Sequence, residues 1–168
     1  MRVTEDGVPI QELISTIKQA IKMANVSNSD LDRDVRVGSV QIILNAVATR
    51  SLGGGVDFRV PFIGMPIKFG NKLTRQDTHK VDISMVPPDL TGRPELRDGE
   101  LASVFVDAIN TIRLAVAGAS TGDDPFTLTK SSVDISFAVT AEGTISLGID
   151  GGLSNELTHT LTLGLVPA

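Results

Sequence analysis

The sequence contains no cysteine, no tryptophan and no tyrosine. Without cysteine there are no disulfides, no thiolate nucleophiles and no cysteine metal sites. Without Trp and Tyr the usual stacking platforms for sugars and single-stranded nucleic acid are missing, and the 6 Phe sit in an otherwise aliphatic sequence. No apolar run approaches the roughly 20 residues that cross a bilayer, and the opening Met1-Arg2-Val3-Thr4-Glu5-Asp6 lacks the basic-then-apolar layout of a secretory signal. A cytoplasmic protein with no membrane partner is the expectation. A net charge of −5 argues against nucleic acid as the main partner. What remains, 41% hydrophobic and 21% charged residues, is the composition of a globular protein.

The charge is divided unequally. Residues 1–88 carry 11 Lys/Arg against 9 Asp/Glu, whereas residues 89–168 carry 4 against 11. Such halves either differ by neutral drift or attract each other, within one chain or between neighbours.

The two halves also repeat each other. Thr78-His79-Lys80-Val81-Asp82-Ile83-Ser84-Met85-Val86-Pro87 aligns with Thr158-His159-Thr160-Leu161-Thr162-Leu163-Gly164-Leu165-Val166-Pro167. The chain has 2 His, and both occupy this one slot. Upstream, Ile14, Ile17 and Ile21 correspond to Ile109, Ile112 and Val116. Val40, Ile42, Leu44 and Ala46 correspond to Val133, Ile135, Phe137 and Val139, and Val56, Phe58 and Val60 to Ile145, Leu147 and Ile149. Repeats of this kind set the fold before any single motif does.

Each half reads as helix, strand, turn, strand, loop, strand. Ile10, Leu13, Ile14, Ile17 and Ile21 form one helical stripe, with Pro9 in its first turn and Glu5 and Asp6 ahead of it. Leu101, Phe105, Ala108, Ile109, Ile112 and Val116 form the other, with Asp98 as N-cap and Gly118 as stop. Period-two alternation marks the strands, and Leu52–Gly55 and Ala141–Gly143 supply hairpin turns. The fold class expected is α+β: two tandem copies of a two-layer unit, each one amphipathic helix packed on a three- to four-stranded antiparallel sheet. The boundaries are 1–88 and 97–168, joined by a proline-rich linker at 89–96.

The copies differ at their surfaces. Copy one carries an extra segment, Pro61 to Gly70, containing Phe62, Ile63, Met65, Ile67 and Phe69. It is either a hairpin folded over its own sheet or an exposed arm that binds a partner. Ile43 and Val47, on the presumed outer strand face, stand where copy two has Ser136 and Thr140. These seven apolar residues are the candidate partner-binding positions.

Catalytic signals are weak. Asp77 and Asp82 flank His79, but Leu157 and Thr162 occupy the matching positions around His159. A histidine that hydrogen-bonds locally and shields the core fits both copies better than a metal ligand or base. No Gly-x-Ser-x-Gly elbow is present. Gly53-Gly54-Gly55 lacks the Lys-Ser/Thr of a phosphate loop, and Asp123-Asp124-Pro125 lacks the alternating ligands of a calcium loop. No catalytic residue, cofactor, metal or small-molecule substrate is expected, and the chain is read as a non-enzyme.

The order of amphipathic helix (Ile10–Met23, Leu101–Ala117), alternating strand (Val40–Ala46, Val133–Val139) and Thr-His-aliphatic-Pro ending (78–87, 158–167) resembles the second trypsin-co-occurring domain family of bacteria. The resemblance implies a small α+β module found beside trypsin-like peptidases and in conflict or signalling systems, acting as a non-catalytic adaptor. A protein-binding adaptor is therefore the leading expectation. The alternative is a self-assembling subunit, head to tail or filamentous, in which the partner is a further copy.

Overall fold

The computed structural model describes residues 3–4, 7–26, 35–50, 53–64, 78–87, 100–118, 129–147 and 157–167. The elements in chain order are β1 (Val8–Pro9), α1 (Ile10–Val26), β2 (Val35–Arg50), β3 (Val56–Val60), β4 (Thr78–Met85), α2 (Glu100–Gly118), β5 (Ser131–Val139), β6 (Ile145–Ser146) and β7 (His159–Pro167). Two helices and a mostly antiparallel sheet among the described residues make this an α+β fold. Neither helix is long and apolar enough to cross a membrane.

Among the described residues the sheet has seven strands, in the order β1-β3-β2-β7-β5-β6 with β4 also paired to β2. The long strand β2 thus serves β3, β4 and β7. The expected linker at 89–96 and the N-cap Asp98 lie outside the described residues.

The chain divides into two compact units, each drawing on several stretches of sequence. One comprises Met1–Ser15, Ile42–Ile83 and Ile135–Leu161. In it β3 pairs antiparallel with β1 (Val8 opposite Val60) and with the end of β2 (Ala48 opposite Phe58). Strand β1 is too short to leave a periodic signature in sequence, and it displaces Pro9 from the expected first helical turn to the residue just before it. Gly7 leads into β1 at φ 107°, and a Cβ there would strike the Val60 carbonyl oxygen. Only glycine fits. The β5–β6 hairpin turns at Gly143, φ 79°, with Val139 opposite Ile145. Leu13 of α1 is buried in this unit, and so are Ile42, Leu44, Phe137 and Leu161 of the strands, as their alternation requires.

The second unit comprises Thr16–Gln41, Ser84–Asp134 and Thr162–Ala168. Its α1 residues Ile17, Ala20, Ile21 and Ala24 are buried, the face set by helical spacing. From α2 it buries Phe105, Ile109 and Arg113, while the expected stripe members Ala108, Ile112 and Val116 are only half-buried. The buried line runs straight along positions four apart. That line places an arginine in the core. Arg113, 5% exposed, donates from Nη1 to the carbonyl oxygen of Ala24 in the last turn of α1. The strands of this unit approach closely: a side chain at Gly38 would meet Val166, and one at Gly164 would meet the Ser39 hydroxyl.

Candidate functional site

The two histidines share a slot in sequence and differ in setting. His159 opens β7 and is 1% exposed. Its Nδ1 accepts the backbone N–H of Asn45 at 3.1 Å, and its ring centroid lies 5.4 Å from that of Phe137. Asn45 holds the strand start a second time, donating from Nδ2 to the Thr158 carbonyl at 2.8 Å. Burial lowers the His159 pKa from 6.5 to about 4, because no water remains to solvate the imidazolium. The ring is therefore neutral, with its proton on Nε2, an atom that has no hydrogen-bond partner. A neutral, buried imidazole used as a backbone acceptor shields the core.

His79, by contrast, is exposed on β4. Its ring stands edge-on to Phe58 of β3, with centroids 5.9 Å apart and planes at 84°. Among the described residues no three His, Cys, Asp or Glu side chains converge on a point that could hold a metal ion. Asp77 and the pair Asp123-Asp124 lie outside the described residues.

The apolar candidates separate. Phe62 is 6% exposed, and Pro61 beside it is buried. The Ile63 N–H donates to the Val139 carbonyl at 2.8 Å, which ties the start of the 61–70 segment to the end of β5. Phe62 is thus a core residue, Ile63 is half-buried, and Met65, Ile67 and Phe69 lie outside the described residues. Ile43 and Val47 on β2 are half-buried.

The large apolar groups that do meet solvent are others. Val56 is 67% exposed and Phe58 40% exposed, on one face of β3 next to the His79 ring. An exposed aromatic on a short strand is a typical anchor for a protein partner. Sequence alternation alone could not find this patch, since Val56, Phe58 and Val60 read as one core-facing row and only Val60 is buried. In the second unit Val86 is 77% exposed. It borders an apolar hollow of about 40 Å³ rimmed by Lys18 and Lys22, and an open groove of about 400 Å³ that crosses Ser39, Ser84, Ser132 and Gly164.

Strand β4 itself is the remaining feature. It has the alternation of β7, yet Val81, Ile83 and Met85 are half-buried where Leu161, Leu163 and Leu165 are completely buried. The cause is position: β7 lies between β2 and β5, whereas β4 pairs among the described residues with β2 alone.

No curated protein and no solved structure matches the chain. Residues 8–87, just under half of the chain and spanning β1 through β4, match the family model described as trypsin-co-occurring domain 2.

Proposed function

We propose that the chain is a non-enzymatic protein-binding module, an adaptor built from two copies of one α+β unit (1–88 and 97–168, joined at 89–96) and working with a trypsin-like peptidase of a bacterial conflict or signalling system. The observation that carries the reading is the exposed Val56–Phe58 face of β3, an apolar and aromatic patch on a strand. The family match supports the peptidase as partner, since the matched domain is described by its co-occurrence with trypsin. The duplication is supported by matching strand partners in the two halves: β2 pairs with β3 and β4, and β5 with β6 and β7. A non-catalytic role is supported by the use of His159 Nδ1 as a backbone acceptor.

Titration calorimetry of the purified chain against catalytically inactivated trypsin-like peptidases from the same genome tests this. Replacing both Val56 and Phe58 with Ser is expected to weaken binding by roughly tenfold or more, the usual loss on truncating an interface anchor. Absence of binding to any such peptidase would sink the adaptor.

A second reading, self-assembly of the chain through its own strands, is favoured by β4. Its apolar face is half-covered in a chain whose matching strand is fully covered.

A further inference from the structure

We infer that the chain binds a second copy of itself, Leu114 of one molecule entering the hollow between Lys18 and Lys22 of the next. The contact is separate from the Val56–Phe58 face and from strand pairing.

Among the described residues four large apolar side chains are exposed. Val56 and Phe58 form the face assigned above to the peptidase. The other two, Val86 and Leu114, belong to the second compact unit and have opposite surroundings.

Val86 borders a concave site. Its floor is Ile21 of α1, Val40 of β2 and Met85 of β4, with Lys18 and Lys22 at the rim. The two lysines are one helical turn apart, so they stand on one side of α1. Lys18 is exposed and Lys22 half-buried, as expected when an apolar stem lines a wall and its ammonium stays in water. At about 40 Å³ the hollow is far smaller than a small-molecule site, which needs roughly 300 Å³ or more. It suits the tip of one protruding side chain.

Leu114 is the convex counterpart. It is 57% exposed on α2, and the exposed face around it runs Asp107, Thr111, Leu114, Gly118 at helical spacing. A Cβ at Gly118 would meet nothing within 4 Å, so this end of the face is open. Asp107 precedes Leu114 by about 10 Å along the axis, within the spread of two lysine stems one turn apart. Helix α2 has no basic residue in its last turn, so its negative end adds to that carboxylate.

Shape and charge therefore match as a pair. One surface is a single leucine beside negative groups, and the other is a hollow for one side chain beside two cations. Both stand open in the same chain, so neither covers the other within it. The match also follows the division of charge. Every residue around the hollow comes from 1–88, which carries 11 Lys/Arg against 9 Asp/Glu, whereas Asp107 and Leu114 come from 89–168, with 4 against 11. Opposite fields draw two copies together before they touch. With one anchor and one charged rim, the contact belongs to the small, transient class.

Sedimentation velocity on the full chain, at concentrations up to about 1 mM to populate a contact of this class, forms the test. The variants are Leu114→Ser, and Lys18→Glu with Lys22→Glu. Self-association is expected for the wild type and should weaken with added salt. Each variant alone should raise the dissociation constant roughly tenfold. The serine variant keeps its hollow and the glutamate variant keeps its leucine, so an equimolar mixture should recover most of the lost association. Recovery would also show that both variants are folded. Association unchanged in both variants would overturn the contact and leave strand pairing as the route. A chain monomeric at the highest concentration would overturn it as well, and weaker peptidase binding by the glutamate variant would then assign the hollow to that partner. Neither outcome touches the adaptor reading at Val56 and Phe58.

Discussion

Lowering the pH from neutrality to about 4 is expected to destabilise the native chain by roughly 3 kcal/mol through one side chain, His159. Burial holds the folded pKa near 4, while the unfolded chain titrates near the ordinary 6.5. Between those values the unfolded chain binds a proton that the native chain refuses. Stability is therefore complete above about 6.5, declines as the pH falls towards 4, and loses nothing more from this group below that. The geometry explains why refusal is firm. Protonating Nδ1 would break the hydrogen bond from Asn45 and place a cation 1% exposed beside Phe137. Urea midpoints of the wild type and of His159→Leu, compared from pH 7.5 to 4, isolate the effect. The variant starts less stable, because Asn45 N–H loses its acceptor, but its acid slope should be flatter. Parallel slopes for the two proteins would show that His159 is not the group responsible.

The second large effect concerns Arg113. The final carbonyls of any helix lack intrahelical partners, and α1 has no basic residue in its last turn. Arg113 on α2 supplies what α1 lacks, a buried guanidinium at the negative end of the helix. Arg113→Ala removes that bond and the packing of a long stem together, and should lower unfolding free energy by roughly 2–4 kcal/mol. Arg113→Lys keeps the charge but loses the planar fork, so an intermediate loss is expected. Equilibrium urea unfolding of the three proteins checks the order. An alanine variant as stable as the wild type would remove Arg113 from any structural role.

Much of the fold was legible in the sequence because it depends on local period. The α1 stripe and the alternation in β2, β5 and β7 are simple consequences of which spacing buries apolar groups. The losses are all matters of tertiary position. Arg113 stands four residues beyond Ile109 on the buried line, but arginine is expected outside, and composition of the stripe favoured Ile112. Phe62 and Phe58 are alike as residues. One is tied under the end of β5 and the other left in solvent by contacts far apart in sequence.

The case of β4 and β7 is the most instructive. Their apolar rows read the same, so both look equally central. The difference lies in the residues between. Lys80 and Asp82 interrupt the row in β4, where Thr160 and Thr162 interrupt it in β7. An interior strand must pass its outward side chains close beside neighbours on both edges, and an edge strand is kept from unwanted pairing by charge. Of the candidate surface, then, the strand was readable in the sequence. Its exposure became readable only once β7 showed what a covered counterpart looks like.

The account turns on that difference between two equivalent strands, and amide hydrogen exchange followed by NMR reads it directly. In dilute solution the amides of β7, held on both edges, should exchange near the rate of global unfolding. Those of β4 should exchange faster as a group, and should become protected as concentration rises or a partner is added. Protection of β4 equal to that of β7 in the dilute chain would contradict the account, because β4 would then offer no less covered edge than its counterpart for a second copy to fill.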